Sequence, residues 1–254
     1  MESVECGIVD VEPRSSLPET RLETRLLRVP HKNGILVVRY PAFGPNSYSS
    51  NLESMGKRYF HSTRFPDISF VPATTSESIS GAAYKFGEMA KKQIFNPNCL
   101  QVGPIVRTSE GVFANTKEVD ESVLKSLLNK CEKVNGIWLY QDNEPELIDF
   151  AYTEYETFKN GFQDSRDFSE SGLARLLEHT CESSAPNLRE ISSAENYPNG
   201  VKVFGFDSVK EPVLRVAGLY SYGSGLRVDG GLGDGGGYAF GVRSTDALGV
   251  VEKN

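Results

Sequence analysis

A chain of 254 residues, 39% hydrophobic and 24% charged, is long enough to bury a substantial core in one large domain or two small ones. Its net charge of −7 disfavours broad nucleic-acid binding, and the charge is uneven: residues 142–196 hold 13 acids against four bases, leaving the remainder close to neutral. No apolar run approaches the ~18–20 residues that cross a bilayer, and the N-terminal stretch lacks the apolar core of a secretory signal, so a cytoplasmic protein with no membrane contact is expected.

Four cysteines (Cys6, Cys99, Cys131 and Cys181) form no C-x-x-C pair, which predicts reduced, structural thiols. Residues 1–30, rich in Glu, Arg, Ser and Pro, read as a flexible polar arm ahead of a single domain over 31–254, with a possible subdivision near 145. NGILVVRY (33–40) reads as a buried strand opened by an Asn-Gly turn signal. Residues 41–65, punctuated by Pro and Gly, read as a long loop with a short strand near 58–60; long loops in compact domains often carry function. ISFVP (68–72) is a second strand.

Thr74 and Glu77 have the spacing of a capping box. Ile79, Ala82, Ala83, Phe86, Ala90 and Ile94 follow at helical spacing. Residues 102–107 and 112–115 read as a hairpin around a Ser-Glu-Gly turn. A second helix is predicted over 121–134, with Val123, Leu124, Leu127, Leu128, Cys131 and Val134 in one apolar stripe and Asn135-Gly136 as its C-cap. GIWLYQ (136–141) and LIDFAY (147–152) form another expected hairpin. Ser169 is the expected N-cap of a third helix, whose buried face is Leu173, Leu176 and Leu177 and whose end carries His179, favoured there as a cation at the C-terminal dipole. Residues 201–206 and 212–222 read as strands, as do LRVD and YAFGVR. The expected fold is α+β: mixed or mainly antiparallel sheet, about three helices, many hairpins and a β-rich, glycine-containing C-terminal part.

Ten of the 24 glycines fall in residues 218–241, GLYSYGSGLRVDGGLGDGGGYAFG. Glycine serves where φ is positive or something must approach the backbone, so the stretch is either a binding loop or a set of tight turns and bulges in a curved sheet. G-x-G-x-x-G occurs at Gly231, Gly233 and Gly236, but a strand rather than a helix is expected to follow, which removes the dinucleotide context. GGLGDGG resembles the calcium-binding G-G-x-G-x-D repeat, one residue short and present once; the resemblance implies Asp229 and Asp234 as oxygen ligands for a divalent cation, Ca²⁺ or Mg²⁺. Glu154-Tyr155-Glu156 puts two carboxylates on one face if the segment is a strand. Preceded by Arg39 on a strand and by a Ser/Thr-rich stretch, this E-x-E resembles the motif order of ADP-ribosyltransferases, although no Ser-Thr-Ser is present; the resemblance implies Glu156 as the catalytic acid.

Two functions follow from these residues. In the first, a small anionic or phosphorylated ligand is held by Arg64 and Arg227, cradled by the backbone at Gly233 and Gly235 and flanked by Tyr238, with His61, Asp229 and Asp234 as candidate catalytic groups. That site requires residues 41–65 and 218–241 to meet. In the second, the protein is a non-catalytic interaction domain whose acidic surface, 142–196, meets a protein partner.

Overall fold

The computed structural model describes residues 25–32, 34–56, 70–84, 86–142, 144, 147–232 and 236–243. At the start, β1 (Arg25–His31) and β2 (Gly34–Tyr40) pair antiparallel from Arg25↔Tyr40 to His31↔Gly34. The last residues of the expected arm are therefore a strand: Leu27 and Val29 alternate with Arg28, and Val29 reaches the core. The expected loop that follows instead contains β3 (Phe43–Asn46) and α1 (Tyr48–Gly56), capped by Ser47, whose hydroxyl accepts the Ser50 amide. The strand expected near 58–60 lies outside the described residues. After β4 (Phe70–Pro72), the capping box forms as its spacing predicts. The Thr74 amide donates to Glu77 at 2.8 Å and the Glu77 amide to the Thr74 hydroxyl at 3.3 Å. It opens α2 (Thr75–Tyr84), which runs on into a wider, π-helical segment (Phe86–Ile94). All six residues of the predicted stripe, from Ile79 to Ile94, are buried.

The hairpin β5 (Leu100–Arg107) and β6 (Gly111–Ala114) also forms as predicted. The second helix does not reach Val134. α3 (Glu121–Leu128) is capped by Asp120 and stops, and β7 (Glu132–Val134) turns back into β8 (Ile137–Leu139). Asn135-Gly136 is the turn of this hairpin rather than a C-cap. Both residues take positive φ, 51° and 86°, as a two-residue type I′ turn demands. β9 (Ala151–Glu154) then pairs with β8, and a 3₁₀ turn (Tyr155–Thr157) takes Glu156 off the strand, so the two acids of E-x-E do not share a strand face.

After β10 (Gly161–Gln163), the predicted third helix is two: α4 (Ser165–Glu170), capped by Asp164, and α5 (Gly172–Glu178), capped by Ser171. Ser169 is not a cap. Its hydroxyl donates to the Arg166 carbonyl inside α4, and the break comes two residues later, where Ser171 is extended. α6 (Pro186–Ile191) precedes β11 (Val201–Phe204), β12 (Val213–Tyr222), β13 (Gly225–Leu232), β14 (Gly237–Ala239) and β15 (Gly241–Arg243). Most of the glycine-rich stretch is thus strand and hairpin turn.

The larger sheet runs β10-β11-β13-β12-β5-β6-β9-β8-β7, and β14 joins it through Leu100↔Tyr238 while pairing with β3. The smaller sheet runs β1-β2-β15-β4. Among the described residues every pairing but β11–β13 and β14–β5 is antiparallel, so the fold is α+β as expected. Alternation along β5 and β6 explains why both faces of these strands are apolar. Ile105, Val112 and Ala114 face the main core with α2, α5 and α6, whereas Val106 and Phe113 face a second cluster with Leu124, Phe150 and Tyr152 beneath α3. No described helix is long and apolar enough to cross a membrane.

At Gly136 an added Cβ meets nothing within 4 Å, so substitution costs only the backbone conformation. Gly136→Ala should lose about 1 kcal/mol and about 2–4 °C of Tm. An unchanged Tm in thermal denaturation would mean that the β7–β8 turn is not formed.

Candidate functional site

Two polar constellations stand out. The first is buried. Lys32, Asn115, Asp149 and His179 are four of the five non-glycine residues with positive φ among the described residues, and they belong to one network. Asp149 Oδ1 accepts the Lys32 ammonium, and Oδ2 accepts the Thr74 and Ser76 hydroxyls at the start of α2. The Asn115 amide donates to the Asp149 carbonyl at 2.8 Å and to the Thr75 hydroxyl at 2.9 Å, and its oxygen accepts the Thr75 amide. His179, the C-cap of α5, sets Nδ1 3.6 Å from Asp149 Oδ1. Burial pushes the Asp149 carboxyl up, but the charge of Lys32, the neighbouring imidazole and the hydroxyls outweigh it and bring it to about 2. Burial holds His179 below the usual histidine range, against the opposing pull of the Asp149 carboxylate.

Strained backbone often marks a functional site. Here, however, Asp149 already accepts three donors from the protein and is 1% exposed, which closes it to a ligand from solvent. The network joins the end of β1, the start of α2 and the end of α5. Next to it, the Glu178 carboxylate caps α6 by accepting the Asn187 and Leu188 amides, each at 3.0 Å. Burial dominates there and pushes Glu178 up to about 7.

The second constellation is open. It lies where β10, β11, β13 and β12 run side by side, and register puts Phe162, Lys202, Arg227 and Tyr220 in one row across the four strands. Tyr222 and Phe204 adjoin the row. The Arg227 guanidinium lies 3.6 Å from the Tyr222 ring centre, with Phe204 and Tyr220 at 5.8 and 5.9 Å. Lys202 Nζ lies 5.1 Å from the centre of Phe162. Phe162 and Tyr222 are 72% and 63% exposed. Among the described residues, neither cation has a hydrogen bond or ion pair within the protein. One end of the face is closed by the chain after β11, where Gly205 takes φ of 75° and passes close over Asp229.

Of the described residues expected to form a site, Arg227 alone falls on this face with its donors unused. Asp229 is buried beside it, but Oδ1 accepts the Gly231 amide at 2.7 Å. Burial raises Asp229 against the opposing pull of that amide, Arg107 and Arg227. Tyr238 is on β14, separated from β13 by β5 and β12, and its amide donates to the Cys99 carbonyl. His61, Arg64, Gly233, Asp234 and Gly235 lie outside the described residues. The two segments that had to meet do meet: β3 pairs with β14, and the Asn51 amide donates to the Gly237 carbonyl at 2.8 Å. Among the described residues no three His, Cys, Asp or Glu side chains come together as metal ligands, and of the Asp229–Asp234 pair only Asp229 is among them. Arg39, on the smaller sheet, donates to the Pro41 carbonyl and stacks on Phe43; Glu154 is on the larger sheet.

No family model and no curated protein matches the chain. Among solved structures, a nanoarchaeal protein of the C-type lectin fold, described as accommodating massive sequence variation, covers 80% of this chain and 96% of its own. It is 17% identical with a TM-score of 0.45, too distant to assign the fold or carry a function.

The tyrosines Tyr220 and Tyr222 lie in the glycine-rich stretch expected as a binding loop, whereas sequence reading missed Lys202, Phe162 and Phe204. The alternation in VKVF and LYSY, with Lys202, Phe204, Tyr220 and Tyr222 at every second position, was the available signal for one outward face.

Asp149→Asn should cost about 2 kcal/mol near neutral pH, the equivalent of moving a carboxyl from its free value of 3.8 to about 2. The folded-state value lies below the free one, so this stability is complete above about pH 4 and fades as the pH falls through 2; urea titrations should show the variant and the parent converging with acid. Glu178 has the opposite sign. Its folded-state value lies above the free 4.5, so ionisation opposes folding and stability declines as pH rises from about 4.5 to about 7. In Glu178→Gln that decline should be absent; a variant that keeps it would show that the titrating group lies elsewhere.

Proposed function

We propose that the protein is a recognition module that holds an anionic ligand on the open face of its larger sheet, with Arg227 and Lys202 as the binding cations. The supporting observation is the combination of two half-buried cations, neither bonded to a carboxylate of the described residues, and their rings in one cross-strand row. Stacking on Tyr222 and Phe162 orients both side chains without using their donors. Each cation therefore meets a ligand with its rotamers restricted in advance, and a guanidinium fork in particular suits a carboxylate or phosphate oxygen pair. Recognition rather than chemistry is favoured because the row holds no imidazole, and among the described residues neither the Lys202 amine nor the Tyr220 hydroxyl is hydrogen-bonded to a base that could activate it. The one carboxylate nearby, Asp229, is buried and bound to Gly231.

The acidic stretch 142–196 supports the alternative partner surface less well. Asp149 and Glu178 are buried and cap other elements. Glu144, Glu154, Asp167 and Glu170 lie opposite Lys130, Lys133, Lys159 and Arg166 in exposed pairs.

A thermal-shift panel of pyrophosphate, sugar phosphates, dicarboxylates and oligoglutamate tests this reading. An anion at about 100 times its Kd adds about 2.7 kcal/mol, a rise of about 5–10 °C for a chain of this size. In the Lys202→Ala/Arg227→Ala double variant the rise should vanish while the ligand-free Tm stays within about 2 °C of the parent. No rise with any anion, or the same rise in the double variant, would sink the proposal.

A further inference from the structure

The two cations of the open face lean apart. Lys202 and Arg227 are cross-strand partners, so their Cα atoms are one strand spacing apart, about 4.8 Å. From there Lys202 turns toward Phe162 on β10 and Arg227 toward Tyr222 on β12, the outer strands of the group of four. Arg227 also lies 5.8 Å from the Phe204 ring on β11, so the two heads stand over different rings rather than sharing one. Two anionic groups, one at each head, use both cations without sharing an oxygen pair.

An extended polypeptide meets that condition. Alternate side chains project on one side about 6.6–6.8 Å apart, and the segment can lie across the row with two carboxylates facing the two cations. The surroundings also fit a polypeptide. Tyr220, Tyr222 and Arg227 are the residue types that dominate the energetics of protein interfaces, and the exposed Phe162 and Tyr222 rings supply apolar area flanking the charges. A single-stranded nucleic acid fits less well. Its affinity comes from several neutralised phosphates and from bases stacked on open ring faces. Here there are two cations, each exposed ring already has a cation over it, and the chain carries a net charge of −7.

Building on the anion-binding reading of this face, we infer that its occupant is an extended acidic segment of a protein partner, with carboxylates at alternate positions engaging Lys202 and Arg227.

Fluorescence anisotropy with the full chain tests this, using a labelled octapeptide that alternates glutamate and serine. Saturable binding is expected. It should weaken about tenfold or more in Arg227→Ala and in Lys202→Ala separately, and disappear for the same peptide with glutamine in place of glutamate. A peptide with the same four glutamates in one block should bind more weakly than the alternating one. Circular dichroism and Tm of each variant establish that the fold is retained. The inference is overturned if the alternating peptide does not bind, binds the variants as well as the parent, or binds no better than the blocked peptide. A labelled oligothymidylate of eight nucleotides, or pyrophosphate as competitor, separates the two levels of the proposal. If either binds through Arg227 while the peptide does not, the peptide is wrong and the anion-binding face stands. If none of the three binds, both fall.

Discussion

The carboxylate of Asp149 is the constraint on which the rest of the arrangement depends. An unpaired charge at 1% exposure would cost several kcal/mol, so its partners are obligatory. They come from separate parts of the chain: Lys32 after β1, Thr74 and Ser76 at the start of α2, and His179 at the end of α5. A negative charge beside the first amides of α2 also complements the helix dipole. Since α2 packs against β1 on one side and β5, α5 and α6 on others, fixing its first turn fixes the smaller sheet relative to the larger one. The positive φ values at Lys32, Asp149 and His179 are the local cost of bringing three chain reversals to one carboxylate.

That joint lies on the helical side of the larger sheet, and no described helix packs on the outward side of β10, β11, β13 and β12. β13 serves both sides. Leu226 and Val228 point into the core with Val201, Val203 and Leu219, while Arg227 points out with Lys202 and Tyr220. A slip of one residue in β13 would bury the guanidinium and expose two core residues, so core packing itself fixes the display register. The face is held by a close-packed interior rather than by mobile loops, and its cations are oriented by rings anchored on neighbouring strands.

Local chemistry was legible in the sequence wherever a pattern had one structural solution. The Thr74–Glu77 box, the stripe from Ile79 to Ile94 and the β5–β6 hairpin are of this kind. Asn135-Gly136 had two solutions, helix C-cap or type I′ turn, and tertiary pairing of β7 with β8 and β9 decided between them. Ser169 and Ser171 were equally good caps by composition; the break went to the one whose backbone is extended. The open face was half legible. Arg227 and its ring partners Tyr220 and Tyr222 lie in one glycine-rich stretch, but Lys202 is 25 residues away on β11 and Phe162 still further on β10. β11 meets β13 in parallel, and a parallel pairing carries no turn signal in the sequence. The glycines read as a candidate loop because their local pattern suits a loop and a curved sheet equally.

On the proposed reading, an acidic protein that recognises an anion meets an electrostatic conflict at long range but not at contact. The net charge of −7 acts on an approaching ligand over distances that salt screens beyond about 8 Å. Lys202 and Arg227 act within hydrogen-bonding distance, where no carboxylate of the described residues is bonded to them. Many acids are also neutralised locally, Asp149 by Lys32 and four exposed carboxylates by lysine or arginine neighbours. Each further negative charge on a ligand adds repulsion without adding a cation to meet it. The balance therefore selects a ligand with few, well-spaced charges over a long polyanion, and puts the affinity in slow dissociation rather than in electrostatically steered association. A net negative charge and a cationic face are then complementary parts of one specificity: the first rejects what the second alone would accept.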